Sequence, residues 1–370
     1  MSTNTFAPSS TYNSLLSQRG NLRKGDTAIV VGAGAFGGWT ALYLLRRGVN
    51  VTLMDAWGAG NSRSSSGDET RVIRSTYGAN EFYFDLNVRA LELWKEHQKS
   101  WNRQVFLNTG VLWMCHSEKC ALVDDSIPFS RKHRMEYEFV SRSELVTRFP
   151  VVNASDLHHG WFDPYGGYLK ARESTQLVVE TFIKEGGTFV NSFVTSDMAL
   201  EADTIIYACG SWLGKMFPRE IGDRITCSKQ EAYYFGVPSM NAVQYDQFPV
   251  WVDADGRDYY YGIPGNANRG FKVGVDRRGK PFDPTYSERI AEPEVLAHAR
   301  EFLAHRFPGL KDAPLVENRV CPYENSPDGN FIFERHPEKK HVWFLGGGSG
   351  HGFKHGPALG EMVANALVSH

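Results

Sequence analysis

The stretch 27–55, TAIVVGAGAFGGWTALYLLRRGVNVTLMD, constrains the fold of this chain more than any other. A strand runs into the turn Gly32-x-Gly34-x-x-Gly37, and a helix and a second strand follow, an order typical of a dinucleotide-binding unit. Gly32 permits the tight turn, Gly34 allows the backbone to approach a pyrophosphate, and Gly37 allows the helix to pack against the strand. Asp55 ends the second strand, where a carboxylate accepts hydrogen bonds from the ribose of an adenosine. A glycine turn without nucleotide is the alternative for a lone motif, but these flanks favour the dinucleotide site.

The composition is that of a globular protein and excludes several partners. Hydrophobic residues make up 42 % of the 370 residues and charged residues 22 %, with a net charge of −2. Because this balance provides no long-range attraction to nucleic acid or anionic lipid, we expect neither partner. No apolar run reaches the roughly 18 residues of a membrane span. Residues 1–25 are predicted to be a polar arm rather than a secretory signal, because they lack a continuous apolar segment.

The cysteines indicate a reducing compartment and therefore a cytoplasmic location. Their number is odd and their spacing forms no disulfide framework. They are Cys115, Cys120, Cys209, Cys227 and Cys321. Cys115 and Cys120 lack a matching Cys or His pair, so no metal site is expected.

Strand and helix patterns divide the chain into interleaved segments. Strands alternate with helices in 26–110, 165–215 and 320–370, whereas 111–164 and 216–319 carry a mixed pattern rich in short aromatic strands. The predicted fold class is α/β, with a Rossmann-like FAD-binding domain interleaved with a mixed, largely antiparallel β-sheet substrate domain. A nucleotide lobe assembled from separate segments is more typical of flavoproteins than of nicotinamide dehydrogenases, so FAD is the expected cofactor.

Local patterns give more specific expectations. Val105–Leu112 is predicted to be a pair of strands around a turn, and 160–170 a turn-rich crossing that leads into a helix over Ala171–Lys184. A strand is predicted over Thr188–Val194. The next strand ends at residues 209–212, Cys-Gly-Ser-Trp, a second place where a dinucleotide lobe can meet its cofactor.

Four motifs behind the glycine turn together resemble one family. They are GDETRVIRSTYG at 67–78, DYYYGIPG with FKVGV at 258–275, VCPYENSPDGNF at 320–331 and SGHGFKHGPALGE at 349–361. In this order they resemble the monomeric sarcosine oxidase and N-methyltryptophan oxidase family of FAD-dependent amine oxidases, within the D-amino-acid-oxidase-like superfamily. The resemblance extends over residues 27–369, and the combination is more specific than any single motif.

The resemblance implies a covalently bound flavin. In that family the cysteine of the C-x-Y segment is joined through sulfur to the flavin ring, and Cys321 matches it. Covalent attachment prevents dissociation and raises the reduction potential, which favours removal of two electrons from a C–N bond. The spacing alone would favour a buried free cysteine.

Lys272, within FKVGV, is implied as the residue that assists reduction of oxygen. The family has a lysine at the matching position over the flavin face, where a cation stabilises superoxide as electrons transfer. Without the resemblance, a lysine in a strand would be interpreted as a solvated surface residue. Oxygen is therefore the expected electron acceptor.

Arg74 and Lys354 match the pair that holds the substrate carboxylate in the family. A guanidinium fork fixes a carboxylate in two directions, which presents the carbon to be oxidised to the flavin. Arg71 matches an arginine close to the flavin ring. The alternative for both arginines is a surface charge. A carboxylate-bearing amine follows as the substrate.

Two tyrosines match residues that line the substrate pocket, Tyr261 and Tyr323. Because side chains alternate along a strand, Tyr260 is expected to point away from that pocket. A core position is the alternative for each tyrosine. His351 and His355 flank the glycines of the last motif and are expected to be structural.

The glycine patterns and the resemblance together imply the cofactor-binding residues. They are Gly32, Gly34, Gly37, Asp55, Ala56, Ser66, Thr70, Arg71, Cys209, Gly210, Trp212, Cys321, Gly350, Gly352 and Lys354.

The chain departs from the family pattern at several places, and the strand region 188–206 is also shorter than the family's usual hairpin. Ser65 and Ser66 stand where sarcosine oxidases carry two histidines, and Glu69 is an extra residue in GDETR. Asp276 replaces a histidine four residues after the oxygen-activating lysine. An acid there puts sarcosine in doubt and favours a substrate with a polar or cationic distal group.

The sequence therefore predicts a monomeric FAD-dependent amine oxidase. A secondary or N-alkyl α-amino acid would be oxidised at its C–N bond to an imine, and O2 would be reduced to H2O2. An oxidase of a primary or cyclic amino acid and a dehydrogenase with another electron acceptor are the alternatives within the enzyme class. A catalytically silent nucleotide-binding module would need none of Lys272, Arg74, Lys354 or Cys321.

Overall fold

The computed structural model describes residues 17–238, 242–254, 259–265 and 269–369. Residues 1–16 of the predicted polar arm and Asp258 of the second motif lie outside these ranges. No helix in the described ranges is both long and apolar enough to cross a membrane.

Strands and helices alternate through most of the described chain. The strands are β1 (Thr27–Val31), β2 (Asn50–Asp55), β3 (Thr70–Ile73), β4 (Phe106–Leu107), β5 (Val111–Cys115), β6 (Glu138–Ser141), β7 (His159–Asp163), β8 (Gly167–Lys170), β9 (Thr188–Asn191), β10 (Thr204–Tyr207), β11 (Thr226–Phe235), β12 (Val250–Ala254), β13 (Tyr259–Ile263), β14 (Phe271–Asp276), β15 (Leu315–Asn325), β16 (Ile332–Arg335) and β17 (Val342–Gly346). The helices are α1 (Ala35–Arg46), α2 (Glu81–Trp101), α3 (Ala121–Asp124), α4 (Ile127–Lys132), α5 (Arg142–Arg148), α6 (Ala171–Lys184), α7 (Leu213–Met216), α8 (Ala242–Asp246), α9 (Pro293–Arg306) and α10 (Gly356–Leu367).

A six-stranded sheet in the order β16-β17-β10-β1-β2-β9 forms the first layer. Its strands are parallel except for β16, which pairs antiparallel with β17. Helix α1 packs against α10 and α6 beside this sheet, and their apolar residues form one core. Because the chain leaves β1 toward β2 on one side while β10 pairs on the other, the carboxyl end of β1 lies at a switch in strand order, where such folds bind ligands.

An eight-stranded sheet in the order β15-β11-β14-β13-β12-β5-β7-β6 forms the second layer. All its pairs are antiparallel except β12 with β5. Helix α9 packs on β14 and β11, and the aromatic residues of this sheet form a second core. The two sheets confirm the predicted α/β class with a mixed, largely antiparallel second sheet.

Three local expectations are wrong. Val105–Leu112 is not a hairpin, because β4 pairs with β8 and β5 pairs with β7 and β12 in another sheet. The segment 160–170 is mostly extended, since β7 and β8 occupy it. The strand predicted over Thr188–Val194 ends at Asn191.

The small sheet β3-β8-β4 and the long strand β15 connect the two layers. β3 pairs with β8 and carries Arg71 toward the space between the sheets. β15 pairs with β11 along its length and places Cys321 and Tyr323 in the eight-stranded sheet. Residues 320–325 of the third predicted FAD-binding segment therefore lie in this sheet, and the domain boundaries stay a prediction.

Candidate active site

A cavity of about 430 Å³ opens at the carboxyl ends of β1, β2 and β10. It extends from the glycine turn to the loop after β17. Most of the predicted cofactor-binding residues line it. These are Gly32, Gly34, Asp55, Ala56, Ser66, Arg71, Cys209, Gly210, Trp212, Gly350 and Gly352, together with the predicted pocket residue Tyr323.

The glycine turn has the geometry that its sequence requires. Gly32 has a φ of +107°, and a side chain there would collide with the carbonyl oxygen of Ala208. A side chain on Gly37 would collide with the carbonyl oxygen of Gly32, so this glycine allows α1 to pack closely. Gly37 is not one of the described residues that line the cavity. A Cβ on Gly34 would lie 3.1 Å from Ser66 Oγ, inside the cavity wall.

Asp55 is fixed at the end of β2 by backbone amides. Its Oδ2 accepts a hydrogen bond from the Ala33 N–H at 2.9 Å, and its Oδ1 accepts from the N–H groups of Trp57 and Gly58, both at 2.8 Å. The carboxylate therefore has a set orientation at the cavity wall. A dinucleotide needs a turn whose glycines carry no side chains, a helix N-terminus and an acid in a fixed orientation. These residues provide all three features and therefore fit FAD.

Two aromatic residues that the sequence did not predict, Trp57 and Phe193, line the cavity with the predicted Trp212. Trp57 and Trp212 lie with ring centroids 5.1 Å apart, and Phe193 approaches Trp57 at 6.3 Å. All three line the cavity, and Trp57 is 38 % and Phe193 59 % exposed. Exposed aromatic faces beside Asp55, the predicted ribose-binding acid, suit an adenine ring. The position of Trp57 two residues after Asp55 was the available sequence signal.

Lys272 forms a buried ion pair on the other side of Arg71. Its Nζ lies 2.6 Å from Asp68 Oδ2 and donates to the carbonyl oxygen of Thr70 at 3.0 Å. The side chains of Lys272 and Asp68 are 3 % and 2 % exposed. Burial lowers the pKa of Lys272, and the charge of Asp68 opposes that effect. Thr70 thus contributes its backbone carbonyl to the lysine.

Asp68 was not among the predicted site residues. Besides Lys272, its carboxylate accepts hydrogen bonds from Arg71 at 2.7 Å and from the hydroxyl of Tyr234 at 2.7 Å. Burial would raise the pKa of Asp68, but the charges of Lys272 and Arg71 outweigh it and hold the pKa well below its usual range. The sequence signal was its place before the extra Glu69 in GDETR.

Cys321 lies beside Arg71. Its Sγ is 3.9 Å from Arg71 Nη2, and burial raises the pKa of the thiol while Arg71 opposes the rise. The thiol is half-buried on β15. Among the described residues Cys321, Thr70 and Lys354 do not line the cavity themselves, although Arg71 and Tyr323 beside them do.

Arg74 and Lys354 approach the same aromatic ring. The guanidinium carbon of Arg74 lies 5.0 Å and Lys354 Nζ 5.1 Å from the ring centroid of Tyr77. Arg74 donates to the carbonyl oxygen of Thr76, and Lys354 donates to that of His351 at 3.0 Å. Lys354 is 4 % exposed, and burial together with the charge of Arg74 lowers its pKa well below the usual value. Two crowded cations form a site that favours an anion.

Asp276 lies within electrostatic range of this cation pair. Its side chain is accessible to solvent at the end of β14. Burial nevertheless raises its pKa, and the charges of Arg74 and Lys354 oppose that rise. The structure thus places an acid near the two predicted carboxylate-binding residues.

Tyr261 and Tyr323 meet through a hydrogen bond between their side chains. Burial raises the pKa of Tyr261 to about 12, so its hydroxyl stays protonated. Tyr260 points the other way and stacks on Phe302 of α9 with centroids 3.9 Å apart, as expected from strand alternation.

The histidines of the last motif pack in the core. Tyr77 Oη lies 3.1 Å from His351 Nδ1 and 2.7 Å from His355 Nε2. Burial lowers the pKa of both imidazoles well below the usual value, so they are neutral near pH 7. Through these two contacts, His351 and His355 hold Tyr77 beneath the cation pair.

Glu324 is a further cavity residue that the sequence did not predict. The N–H groups of Gly347 and Gly348 donate to its carboxyl group, and its Oε2 has no hydrogen-bond partner among the described residues. Oε2 would lie 3.8 Å from a Cβ on Gly210. Burial raises the pKa of Glu324 to about 7.

Comparisons with known proteins agree with this architecture. The chain is 29 % identical over 358 residues to monomeric sarcosine oxidase from Bacillus sp. (strain NS-129), with 92 % of each chain covered. It is 26 % identical over 360 residues to N-methyl-L-tryptophan oxidase from Escherichia coli O139:H28 (strain E24377A / ETEC), covering 91 % of this chain and 93 % of the relative. The resemblance inferred from the four motifs is confirmed.

Solved structures share the fold. L-proline dehydrogenase from P. horikoshii superposes with a TM-score of 0.79 at 21 % identity, covering 93 % of each chain. Fructosyl amine:oxygen oxidoreductase (Amadoriase I) from Aspergillus fumigatus gives a TM-score of 0.76 at 20 % identity, covering 94 % of this chain and 88 % of that chain. Residues 27–366 match the family described as FAD dependent oxidoreductase. The chain therefore belongs to the FAD-dependent oxidoreductase family.

Proposed function

We propose that the chain oxidises the C–N bond of a carboxylate-bearing secondary amine to an imine and passes the electrons to O2, which becomes H2O2. The observation that carries this proposal is the pairing of the half-buried Arg74 with the buried Lys354 on the ring of Tyr77. The names of the sequence relatives, sarcosine oxidase and N-methyl-L-tryptophan oxidase, refer to N-methyl amino acids and agree with it.

Arg74 and Lys354 bind the substrate carboxylate in this proposal. Lys354 is almost fully buried and its charge is opposed by that of Arg74, so an incoming anion relieves their repulsion. A hydrogen bond to a charged group in such a place is worth about 1.5–3 kcal/mol. Tyr261 and Tyr323 form the neighbouring wall and orient the amine.

FAD, when bound, supplies the two-electron acceptor for the C–N bond. The buried Lys272 then provides a positive charge beside the site of oxygen reduction. Electrostatic stabilisation by this charge is strongest where water is excluded. The proposal assigns Arg71 to the flavin ring, since it lines the cavity and lies between Lys272 and Cys321.

Covalent attachment of FAD through Cys321 is part of the proposal. The thiol is close to Arg71, whose charge favours the thiolate that forms a bond to carbon. The position on β15, two residues before the cavity-lining Tyr323, supports the same assignment. A monomeric state and a cytoplasmic location stay predictions of the sequence.

Asp276 is proposed to select substrates with a basic side chain. An acid within electrostatic range of Arg74 and Lys354 attracts a positive distal group of the substrate and repels a negative one. N-alkyl derivatives of lysine or arginine would therefore be better substrates than those of glutamate.

The test is a panel of N-methyl, cyclic and primary α-amino acids, with and without basic side chains, incubated with the flavin-loaded protein in air. We expect oxygen uptake and one peroxide per amine consumed, highest for secondary amines. Amine-dependent reduction of an artificial dye without oxygen uptake would instead identify a dehydrogenase. No turnover with either acceptor across the panel would reject the proposal.

A further inference from the structure

Asp68, to which the proposed chemistry gives no role, lies at the centre of a cluster of charged and polar side chains. This Asp68 cluster comprises Asp68, Arg71, Tyr234 and Lys272. Three donors converge on the carboxylate, at 2.6 Å from Lys272, 2.7 Å from Arg71 and 2.7 Å from Tyr234. Such short, charge-assisted contacts restrict both ends of each pair.

The backbone at Asp68 is also constrained. Its φ is +71°, in the left-handed region that a non-glycine residue rarely adopts. A residue held in this region costs of order 1–3 kcal/mol, so the surrounding contacts must determine its position. The conformation turns the carboxylate toward β14 and β11, where Lys272 and Tyr234 are paired in register.

The charges around Lys272 make Asp68 its main electrostatic partner. The groups that face the lysine are Asp68 from the segment before β3, Arg71 from β3, Tyr234 from β11 and Cys321 from β15. Tyr261 from β13 faces the carboxylate. Arg71 repels the ammonium group, and Asp68 is the carboxylate that attracts it.

We propose that Asp68 is a positioning residue that keeps Lys272 protonated and its Nζ aimed at the site where O2 is reduced. This inference rests on the proposed function. The two electrons and two protons that reduce O2 to H2O2 would come from bound, reduced FAD, and Lys272 would contribute its charge without being consumed.

Removal of the carboxylate charge has a defined consequence. An opposite charge within hydrogen-bond distance changes a pKa by about 1–3 units, so Asp68→Asn should lower the pKa of Lys272 by that amount. At a pH one unit above the lowered pKa of Lys272, only about a tenth of this lysine is protonated. The variant should then reduce oxygen at least about ten-fold more slowly at alkaline pH, while retaining the rate at acidic pH.

The experiment uses the holoenzyme and needs no substrate. The flavin is photoreduced with EDTA under anaerobic conditions and mixed with oxygenated buffer at pH 6 and pH 9. Sulfite affinity, read from the absorbance of the oxidised flavin, is measured at the same pH values because a nearby cation strengthens it. For the rate of reoxidation and for the sulfite affinity, the ratio of variant to wild type at pH 6 is compared with the same ratio at pH 9. The titration of sulfite itself cancels in this ratio.

We expect both ratios for Asp68→Asn to fall about ten-fold or more from pH 6 to pH 9. Asp68→Asn combined with Lys272→Arg should show no such fall, because a guanidinium does not lose its proton. Asp253→Asn is the matched control, since Asp253 is buried and pairs with Arg306 at 2.6 Å in another core. Its ratios should be equal at the two pH values.

If the ratios for Asp68→Asn are equal at both pH values while Lys272→Met is reoxidised slowly, the role of Asp68 is overturned. The oxidase proposal would stand in that case. Wild-type reoxidation in Lys272→Met would overturn the oxidase proposal as well. If Asp68→Asn does not fold, Asp68→Glu replaces it. That variant keeps the charge and must give pH-independent ratios, and a fall toward pH 9 would contradict the inference.

Discussion

Replacement of Lys354 by methionine should selectively weaken the binding of substrates through their carboxylate. Lys354 lies 5.1 Å from the centroid of the Tyr77 ring and donates to the His351 carbonyl oxygen at 3.0 Å. Methionine has a similar length and fills the same space without a charge. The variant therefore tests the ammonium group rather than the packing.

The magnitude follows from the burial of Lys354. At 4 % exposure its interaction with a carboxylate is little screened by solvent, so the range for a hydrogen bond to a charged group applies. A loss of about 1.5–3 kcal/mol corresponds to a drop of about 10- to 150-fold in kcat/KM. Amides of the same amino acids lack the carboxylate charge and should lose less than about three-fold.

The effect should also depend on pH in a defined direction. Burial and the charge of Arg74 lower the pKa of Lys354, and the residue is charged only below that pKa. Carboxylate binding by the wild type should therefore weaken as pH rises through the lowered pKa, whereas the Lys354→Met variant should not show this decline.

The assay is kcat/KM for each amino acid and its amide, with Lys280→Met as a control at an exposed lysine that pairs with Glu292. The ratio of acid to amide should fall about ten-fold or more in Lys354→Met and stay constant in Lys280→Met. An equal loss for acids and amides would refute the carboxylate role of Lys354.

Four other substitutions test separate parts of the site. After acid precipitation, Cys321→Ser should release its flavin into a yellow supernatant, whereas the wild-type pellet should be yellow; a colourless wild-type pellet would reject the covalent bond. Lys272→Met should slow reoxidation by oxygen about 100-fold in stopped-flow mixing while leaving anaerobic flavin bleaching unchanged, and equal slowing of both would argue against its role. Asp276→Asn should reduce the preference for basic over acidic side chains about two- to five-fold in competition assays, and an unchanged preference would remove Asp276 from the substrate site. Burial raises the pKa of Glu324 to about 7 in the folded protein, so its contribution to the free energy of unfolding is lost as pH rises from its unfolded pKa through 7. Glu324→Gln should remove about 3 kcal/mol of that decline in urea unfolding, and parallel pH curves for variant and wild type would contradict this expectation.

The local unit around the glycine turn could be predicted from the sequence because its signals lie close together. The observed β1, α1 and β2 follow the apolar run, the glycines and the final acid. The helix over Ala171–Lys184 has the predicted ends, since its periodicity and flanks are also local.

Strand partners could not be predicted in the same way. β4 and β5 are adjacent in sequence, but they pair with strands in different sheets. Glycines in 160–170 suggested turns, whereas Gly160 lies in β7, where a Cβ would approach Leu145 at 3.0 Å. Close packing, rather than a turn, requires this glycine.

The site shows the same division. Gly32, Gly34 and Asp55 line the cavity as their motif predicts, and family resemblance gave Lys272, Arg74 and Lys354. Asp68 was missed because its role depends on partners 166 and 204 residues away, Tyr234 and Lys272. Its place before the extra Glu69 in GDETR marked the position as unusual but did not indicate that the aspartate is buried.

Anaerobic titration of the flavin absorbance with an N-methyl amino acid is the most direct test of the proposed amine oxidation. We expect one equivalent of amine to bleach one equivalent of flavin, and air to restore the band with release of one equivalent of peroxide. A flavin that dithionite bleaches, but that no secondary amino acid reduces, would contradict it.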